Sequence, residues 1–200
     1  DSNDLREISK SIQIPLPEKW RLNDGIVDTS GNIWIGTVSP NLAKGTGELL
    51  RINKNGEIKK ALPRFSLTNG MAWNQEEEHL YHVDSYERIV WRHQVNVVTG
   101  DILESKILIQ LPPDDGLPDG ISLDPAGQIF IAIYGKSVVR SYDLSGNFIN
   151  ELSIPAEQVT SIAIGGLDKS QLLITTAQEG FTKEQSDEFP LAGQLFISQS

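Results

Sequence analysis

Asn23-Asp24-Gly25-Ile26-Val27-Asp28-Thr29-Ser30-Gly31-Asn32-Ile33-Trp34-Ile35-Gly36 reads as a small polar pair, an apolar strand, an Asp-containing turn and a second apolar strand. The pattern returns three times. Thr68-Asn69-Gly70-Met71-Ala72-Trp73 runs through Glu76-Glu77-Glu78 to Leu80-Tyr81-His82-Val83-Asp84. Pro118-Asp119-Gly120-Ile121-Ser122-Leu123-Asp124-Pro125-Ala126-Gly127-Gln128-Ile129-Phe130-Ile131-Ala132 follows it closely. Thr160-Ser161-Ile162-Ala163-Ile164-Gly165-Gly166, leading into Gln171-Leu172-Leu173-Ile174-Thr175, is a fainter copy. With Gly25, Gly70, Gly120 and Ser161 aligned, the copies stand 45, 50 and 41 residues apart. A period of about 40–50 residues with several short strands per unit is the signature of a β-propeller blade.

The expected repeats run approximately over 20–65, 66–115, 116–157 and 158–200, within one all-β domain over 1–200. Asp-x-x-Gly turns at Asp28–Gly31, Asp124–Gly127 and Asp143–Gly146 close hairpins, because Gly accepts the positive φ such turns need. Outer strands are expected over Glu48–Ile52, Ile89–His93, Val138–Asp143 and Gln194–Ser198, and no segment sustains the apolar spacing of a long helix. Ile33-Trp34-Ile35 and Ile129-Phe130-Ile131 carry large apolar groups on both faces. Blades stacked around an axis bury both faces of their inner strands, so this pattern favours a propeller. A β-sandwich is the alternative, but it gives no reason for the period.

Outside the repeats, composition excludes several functions. The 200 residues hold no cysteine, which removes disulfides, thiolate metal sites and thiol nucleophiles. The net charge of −10, from 27 acidic against 17 basic residues, argues against nucleic acid or an anionic membrane surface as partner. The longest apolar run, Ile129 to Tyr134, is far short of the ~20 residues of a membrane span. Asp1-Ser2-Asn3-Asp4 carries no basic or apolar leader, so a cytoplasmic location is expected.

Taken together, the motifs resemble the SMP-30/gluconolactonase/luciferin-regenerating-enzyme family, which includes regucalcin and sugar lactonases. Arg21-Leu22-Asn23-Asp24-Gly25 with Asp28, Gly31, Trp34 and Gly36-Thr37 is similar to its R-x-N-D-G…D-x-x-G-x-x-W-x-G-T motif. Asn69-Gly70-Met71-Ala72-Trp73 with Leu80-Tyr81 and Val83-Asp84-Ser85 is similar to N-G-[LM]-A-W…L-Y-x-x-D-S. Pro118-Asp119-Gly120 with Asp124, Gly127, Gly135 and Val138, Thr160–Gly166, and Ala192-Gly193-Gln194-Leu195-Phe196 follow in the family's order. The resemblance implies a six-bladed propeller with one divalent metal at its mouth, usually Ca²⁺, with Zn²⁺, Mg²⁺ or Mn²⁺ as alternatives. It places Asn69 and Asp119 as metal ligands, Asp119 also as catalytic base, and Arg21 and Asn23 on substrate. The family's remaining ligand, a glutamate in an E-G-P motif, has no counterpart in these 200 residues.

Propeller geometry leads to the same residues by another route. Equivalent residues at the starts of successive inner strands form a ring, and those before the aligned glycines are Asp24, Asn69 and Asp119, with Asn23 beside them. Ca²⁺ takes six to eight oxygen ligands. Two or three protein oxygens would leave positions open for water and substrate. Asp24 stands as a group that orients Asn23, caps a turn or touches the metal. A histidine-built zinc site is not expected, since His79 and His82, three apart in a strand, face opposite sides and His93 is the one other histidine. There is no phosphate loop and no G-x-S-x-G elbow.

The expected activity is metal-dependent opening of a sugar lactone or similar small cyclic ester. Asp119 would assist attack by water while the metal polarises the carbonyl. The alternative is a propeller without catalysis that binds or handles calcium. Six blades of about 45 residues need roughly 270, so four to five blades are expected here, as the C-terminal two-thirds of a longer protein. Self-association or an N-terminal segment would then complete the ring.

Overall fold

The computed structural model describes residues 11–74, 76, 78–167 and 169–199; Asp1–Asp4 and Glu77 lie outside them. Strand follows strand in antiparallel meanders. The first comprises β1 (Arg21–Val27), β2 (Ile33–Val38), β3 (Gly47–Ile52) and β4 (Ile58–Phe65). The second comprises β5 (Thr68–Asn74), β6 (His79–Asp84), β7 (Ile89–Asn96) and β8 (Asp101–Gln110). The third runs through β9 (Leu117–Leu123), β10 (Ile129–Tyr134), β11 (Val138–Tyr142) and β12 (Phe148–Ser153). The fourth has β13 (Gln158–Gly165), β14 (Gln171–Ala177) and β15 (Leu195–Gln199), and touches the third ladder through the single pair Tyr134↔Gln158. A short helix, α1 (Lys183–Glu188), precedes β15 and begins in a capping box built by Thr182 and Gln185. The architecture is that of a β-propeller, with the blades packed face to face.

Three apolar layers lie between successive blades. Trp34, Leu49, Phe65, Met71 and Leu80 fill the first, and Tyr81, Val83, Ile121, Ile129, Ile131 and Ile133 the second. Phe130, Ala132, Val139, Val159 and Ile174 fill the third. The isoleucines of β10 therefore serve one layer while Phe130 and Ala132 between them serve the next. This is why both faces of that strand are apolar. Each such side chain stabilises the fold by about 1.5–3 kcal/mol.

The outermost strands β4, β8 and β12 carry Lys59, Glu104, Lys106, Asn150 and Glu151 on exposed positions. Their apolar signal in the sequence is correspondingly weak. The hairpin between β1 and β2 is organised by Asp28, 5% exposed. Its carboxylate accepts the Ser30 and Asn32 amides, the Asn32 side chain and the Trp34 indole N–H, all at 2.9 Å. The outward face of the fourth blade is bare: Leu173, Leu195 and Ile197 are 37%, 57% and 68% exposed.

Cross-strand register changes one reading of the sequence. His82 opposes Trp91 and Leu80 opposes His93, so His82 shares a face with His93, a pairing that spacing within β6 does not reveal. Their ring centroids are 5.7 Å apart, with Phe65 edge-on to His82 at 4.5 Å and Trp91 stacked on His93. Both rings are wholly buried. His93 Nδ1 shares a hydrogen bond of 2.8 Å with Ser105 Oγ, while neither ring nitrogen of His82 has a partner among the described residues. Burial holds both imidazoles neutral, His93 with its pKa lowered to about 4 and His82 well below its ordinary value.

Candidate active site

Each inner strand breaks its ladder at one place. In β1 the pairing skips from Leu22↔Thr37 to Gly25↔Ile35, which leaves Asn23 and Asp24 opposite one residue. In β5 it skips from Thr68↔Asp84 to Met71↔His82, around Asn69 and Gly70. In β9 it skips from Pro118↔Ile133 to Ile121↔Ile131, around Asp119 and Gly120. In β13 the extra residue is Thr160, between Val159↔Thr176 and Ser161↔Thr175. These are β-bulges, which bend a strand and re-aim its side chains. The small polar pairs of the repeat are the bulges themselves.

The equivalence differs by one residue from that given by aligning glycines. Asn23, not Asp24, is the first bulge residue of β1 and the counterpart of Asn69 and Asp119. All three line one cavity of about 440 Å³, together with Arg21, Ser85, Tyr86, Tyr134 and Glu179. Asp24 is not on its wall; its carboxylate accepts the Gly25 amide at 2.7 Å. A cavity of the same volume, lined by Trp73, Ser122, Asp124 and Lys169 among others near the far ends of β5 and β9, holds none of the bulge residues.

Tight backbone packing requires the second bulge residue to be small in the middle blades. A Cβ on Gly70 would stand 2.5 Å from the Ile121 amide nitrogen, and one on Gly120 would stand 2.7 Å from Ser161 Cα. Gly70→Ala should therefore destabilise the chain by about 2–3 kcal/mol and push Asp119 out of place. Chemical denaturation measures the first effect, and a wild-type unfolding midpoint would contradict this packing.

The cavity residues form a hydrogen-bonded row. Arg21 donates to Asn23 Oδ1, and the Asn23 amide donates to Thr68 O at 2.7 Å and to Asn69 Oδ1 at 3.2 Å. The Asn69 amide donates to Ser85 Oγ at 3.2 Å. Asp119 is mostly buried. Burial first, and the charge of Asp24 second, raise its pKa to about 7, while a hydrogen bond with Asn69 works in the opposite direction. Burial likewise raises Asp24. The loop before Asp119 is fixed by the Arg140 guanidinium, which donates to Asp115 and Glu151, and by Arg88 Nε on Gly116 O at 3.1 Å. Asp115 is therefore engaged with Arg140.

Tyr134 and Glu179 enter from the ends of β10 and β14, at sites where the repeats carry no polar signature. The Glu179 backbone is fastened by two hydrogen bonds to the Gln158 side chain, at 2.7 and 2.8 Å. Ser85 closes a quoted motif and could have been found from it. The cavity wall carries hard oxygen donors, among them the Asp119 and Glu179 carboxylates, the Asn69 amide and the Ser85 hydroxyl. Among the described residues no three His, Asp or Glu side chains gather where they could share an ion. Among the same residues no helix is long and apolar enough to cross a membrane.

The family model for the SMP-30/Gluconolactonase/LRE-like region matches residues 2–178. The chain is 34% identical over 183 residues to YvrE of Bacillus subtilis, named as a sugar lactone lactonase, covering 91% of this chain and 63% of that one. It is 32% identical over 174 residues to the pentonolactonase XacC of Haloferax volcanii, covering 87% and 58%. A crystal structure of the calcium-binding protein regucalcin from Agrobacterium tumefaciens superposes with a TM-score of 0.83 at 30% identity, over 89% of this chain and 60% of that one. The chain thus spans about three-fifths of the length of these relatives.

Proposed function

Because the chain belongs to the SMP-30/gluconolactonase/LRE-like family, we propose that it hydrolyses a small neutral lactone such as a sugar lactone. The observation that carries this reading is a largely buried carboxylate, Asp119, that faces a polar cavity beside Asn69, Asn23 and Arg21, its pKa raised to about 7 in the metal-free chain. A general base works best when its pKa lies near the working pH. Asp119 takes the proton of a water that adds to the lactone carbonyl carbon. The ring C–O bond then breaks, and the proton passes to the departing alkoxide to give the open hydroxy acid. Arg21 and Asn23, fixed to each other and to Asn69, hold ring hydroxyls and set the carbonyl against the water.

The donor set fits a divalent cation. Among the described residues Asp119 pairs with no cation, and Asn69 offers a second hard oxygen, so these two would hold Ca²⁺ with water completing its shell. When bound, such an ion supplies electrophilic polarisation of a carbonyl oxygen. A second reading, calcium binding without turnover, is favoured by the regucalcin likeness.

Acid release from glucono-δ-lactone at constant pH, with EDTA and then with Ca²⁺ added back, separates the readings. Turnover abolished by the chelator and restored by Ca²⁺ is expected. Ca²⁺ binding with no acid release above the spontaneous rate would establish the second reading in place of the first. Activity indifferent to EDTA would remove the metal from the mechanism.

A further inference from the structure

One buried carboxylate has no place in the chemistry above. Asp84, 2% exposed at the end of β6, accepts the Ser66 amide at 2.9 Å and the Leu67 amide at 3.0 Å. Those amides belong to the connector between β4 and β5, immediately before Thr68 and Asn69. Thr68 is the register partner of Asp84, the carbonyl of Thr68 receives the Asn23 amide, and Ser85, the next residue after Asp84, receives the Asn69 amide.

Burying a carboxylate is unfavourable unless its lone pairs are satisfied, and the repeat shows that blade architecture does not demand one here. The same register position is Thr37 in the first blade, Ile133 in the third and Thr176 in the fourth. The blade that differs is the one carrying Asn69. The connector is also held from its other side. Ser66 Oγ donates to Glu87 at 2.8 Å and accepts from the Gly45 amide at 3.2 Å, and Glu87 pairs with Lys44 at 2.7 Å.

We propose that Asp84 is the positioning residue of the site: by gripping the Ser66 and Leu67 amides it fixes the entry to β5, and so aims the Asn69 side chain into the cavity. The consequence for function rests on the lactonase reading, but the aiming of Asn69 does not.

Asp84→Asn preserves shape but turns one acceptor oxygen into a donor that faces an N–H. Asp28→Asn is the matched control, since Asp28 is as buried and accepts backbone amides at the opposite end of the first blade. Both variants should melt lower than wild type. Only Asp84→Asn should shift the Asn69 side-chain NH₂ resonance, assigned by its loss in Asn69→Asp, and weaken Ca²⁺ binding by calorimetry about tenfold. If Asp84→Asn lowers Tm but leaves both the resonance and the Ca²⁺ affinity as in wild type, Asp84 is a stabilising residue and the proposal is wrong. If wild type binds no Ca²⁺, the metal reading fails and the Asn69 resonance alone decides. Hydrogen exchange on wild type needs no variant: the Ser66 and Leu67 amides should be protected to the level of the β6 amides, and rapid exchange there would overturn the clamp.

Discussion

Asp119→Asn should abolish turnover, by about 10³-fold or more, and at the same time raise the melting temperature of the metal-free chain at pH 8. The second half follows from the first group's environment. Asp119 has a pKa of about 7 in the folded chain against an ordinary value of 3.8. Between those limits the native state holds a proton that the unfolded chain has released, so stability is fully present near pH 4 and is lost as pH rises towards 7. The loss is on the order of 4 kcal/mol, or roughly 8–16 °C for a chain of this size. An amide has no such penalty. Wild type and variant should therefore melt together near pH 4 and separate by pH 8, with the variant higher. Ca²⁺ should raise the wild type alone. A variant that melts at or below wild type across this range would mean that Asp119 is not held under strain by its surroundings.

The buried histidines predict a pH effect of opposite sign. His93 has a folded pKa of about 4 against 6.5, and His82 is shifted the same way by burial and then by its neighbour. The unfolded chain binds protons here that the native state refuses. Stability is complete above about pH 6.5 and falls as pH drops towards 4, by about 3 kcal/mol for His93 alone. The two windows overlap, so wild type should show a muted dependence in which one effect partly offsets the other. The double variant His82→Phe, His93→Gln, whose amide can still meet Ser105, should reverse the slope and leave stability rising as pH falls from 7 to 4. Denaturant midpoints at half-unit pH intervals measure it. An unchanged slope would show that these rings accept protons in the native state.

The fold was legible because blade repetition writes the same short grammar several times. Strands β1, β5 and β9 announce themselves through apolar residues that follow a polar pair, and Ile129-Phe130-Ile131 declares a strand buried on both sides. The expected outer strands proved to be the third of each blade, β3, β7, β11 and β15, while the outermost β4, β8 and β12 went unread because Lys59, Glu104 and Glu151 face water and blur the alternation. Within the site, Arg21, Asn23, Asn69 and Asp119 were recognisable as types. The bulge in β1, however, moves the ring position from Asp24 to Asn23. An alignment anchored on glycines cannot see this, since Gly25 follows the bulge while Gly70 and Gly120 lie inside it. Tyr134 and Glu179 arrive from strand ends with no motif. The meeting of His82 and His93 was hidden for a different reason: spacing along one strand says nothing about the register of the next.

The bulges make each blade a holder with an exchangeable tip. Asn23, Asn69, Asp119 and Thr160 occupy extra residues that lie outside the regular ladder, while the apolar layers that stabilise the chain are built from residues on either side of them. Chemistry at the mouth can thus drift by single substitutions with little disturbance to the pairing beneath it. Such a scaffold would acquire new substrates through its tips long before its frame had to change.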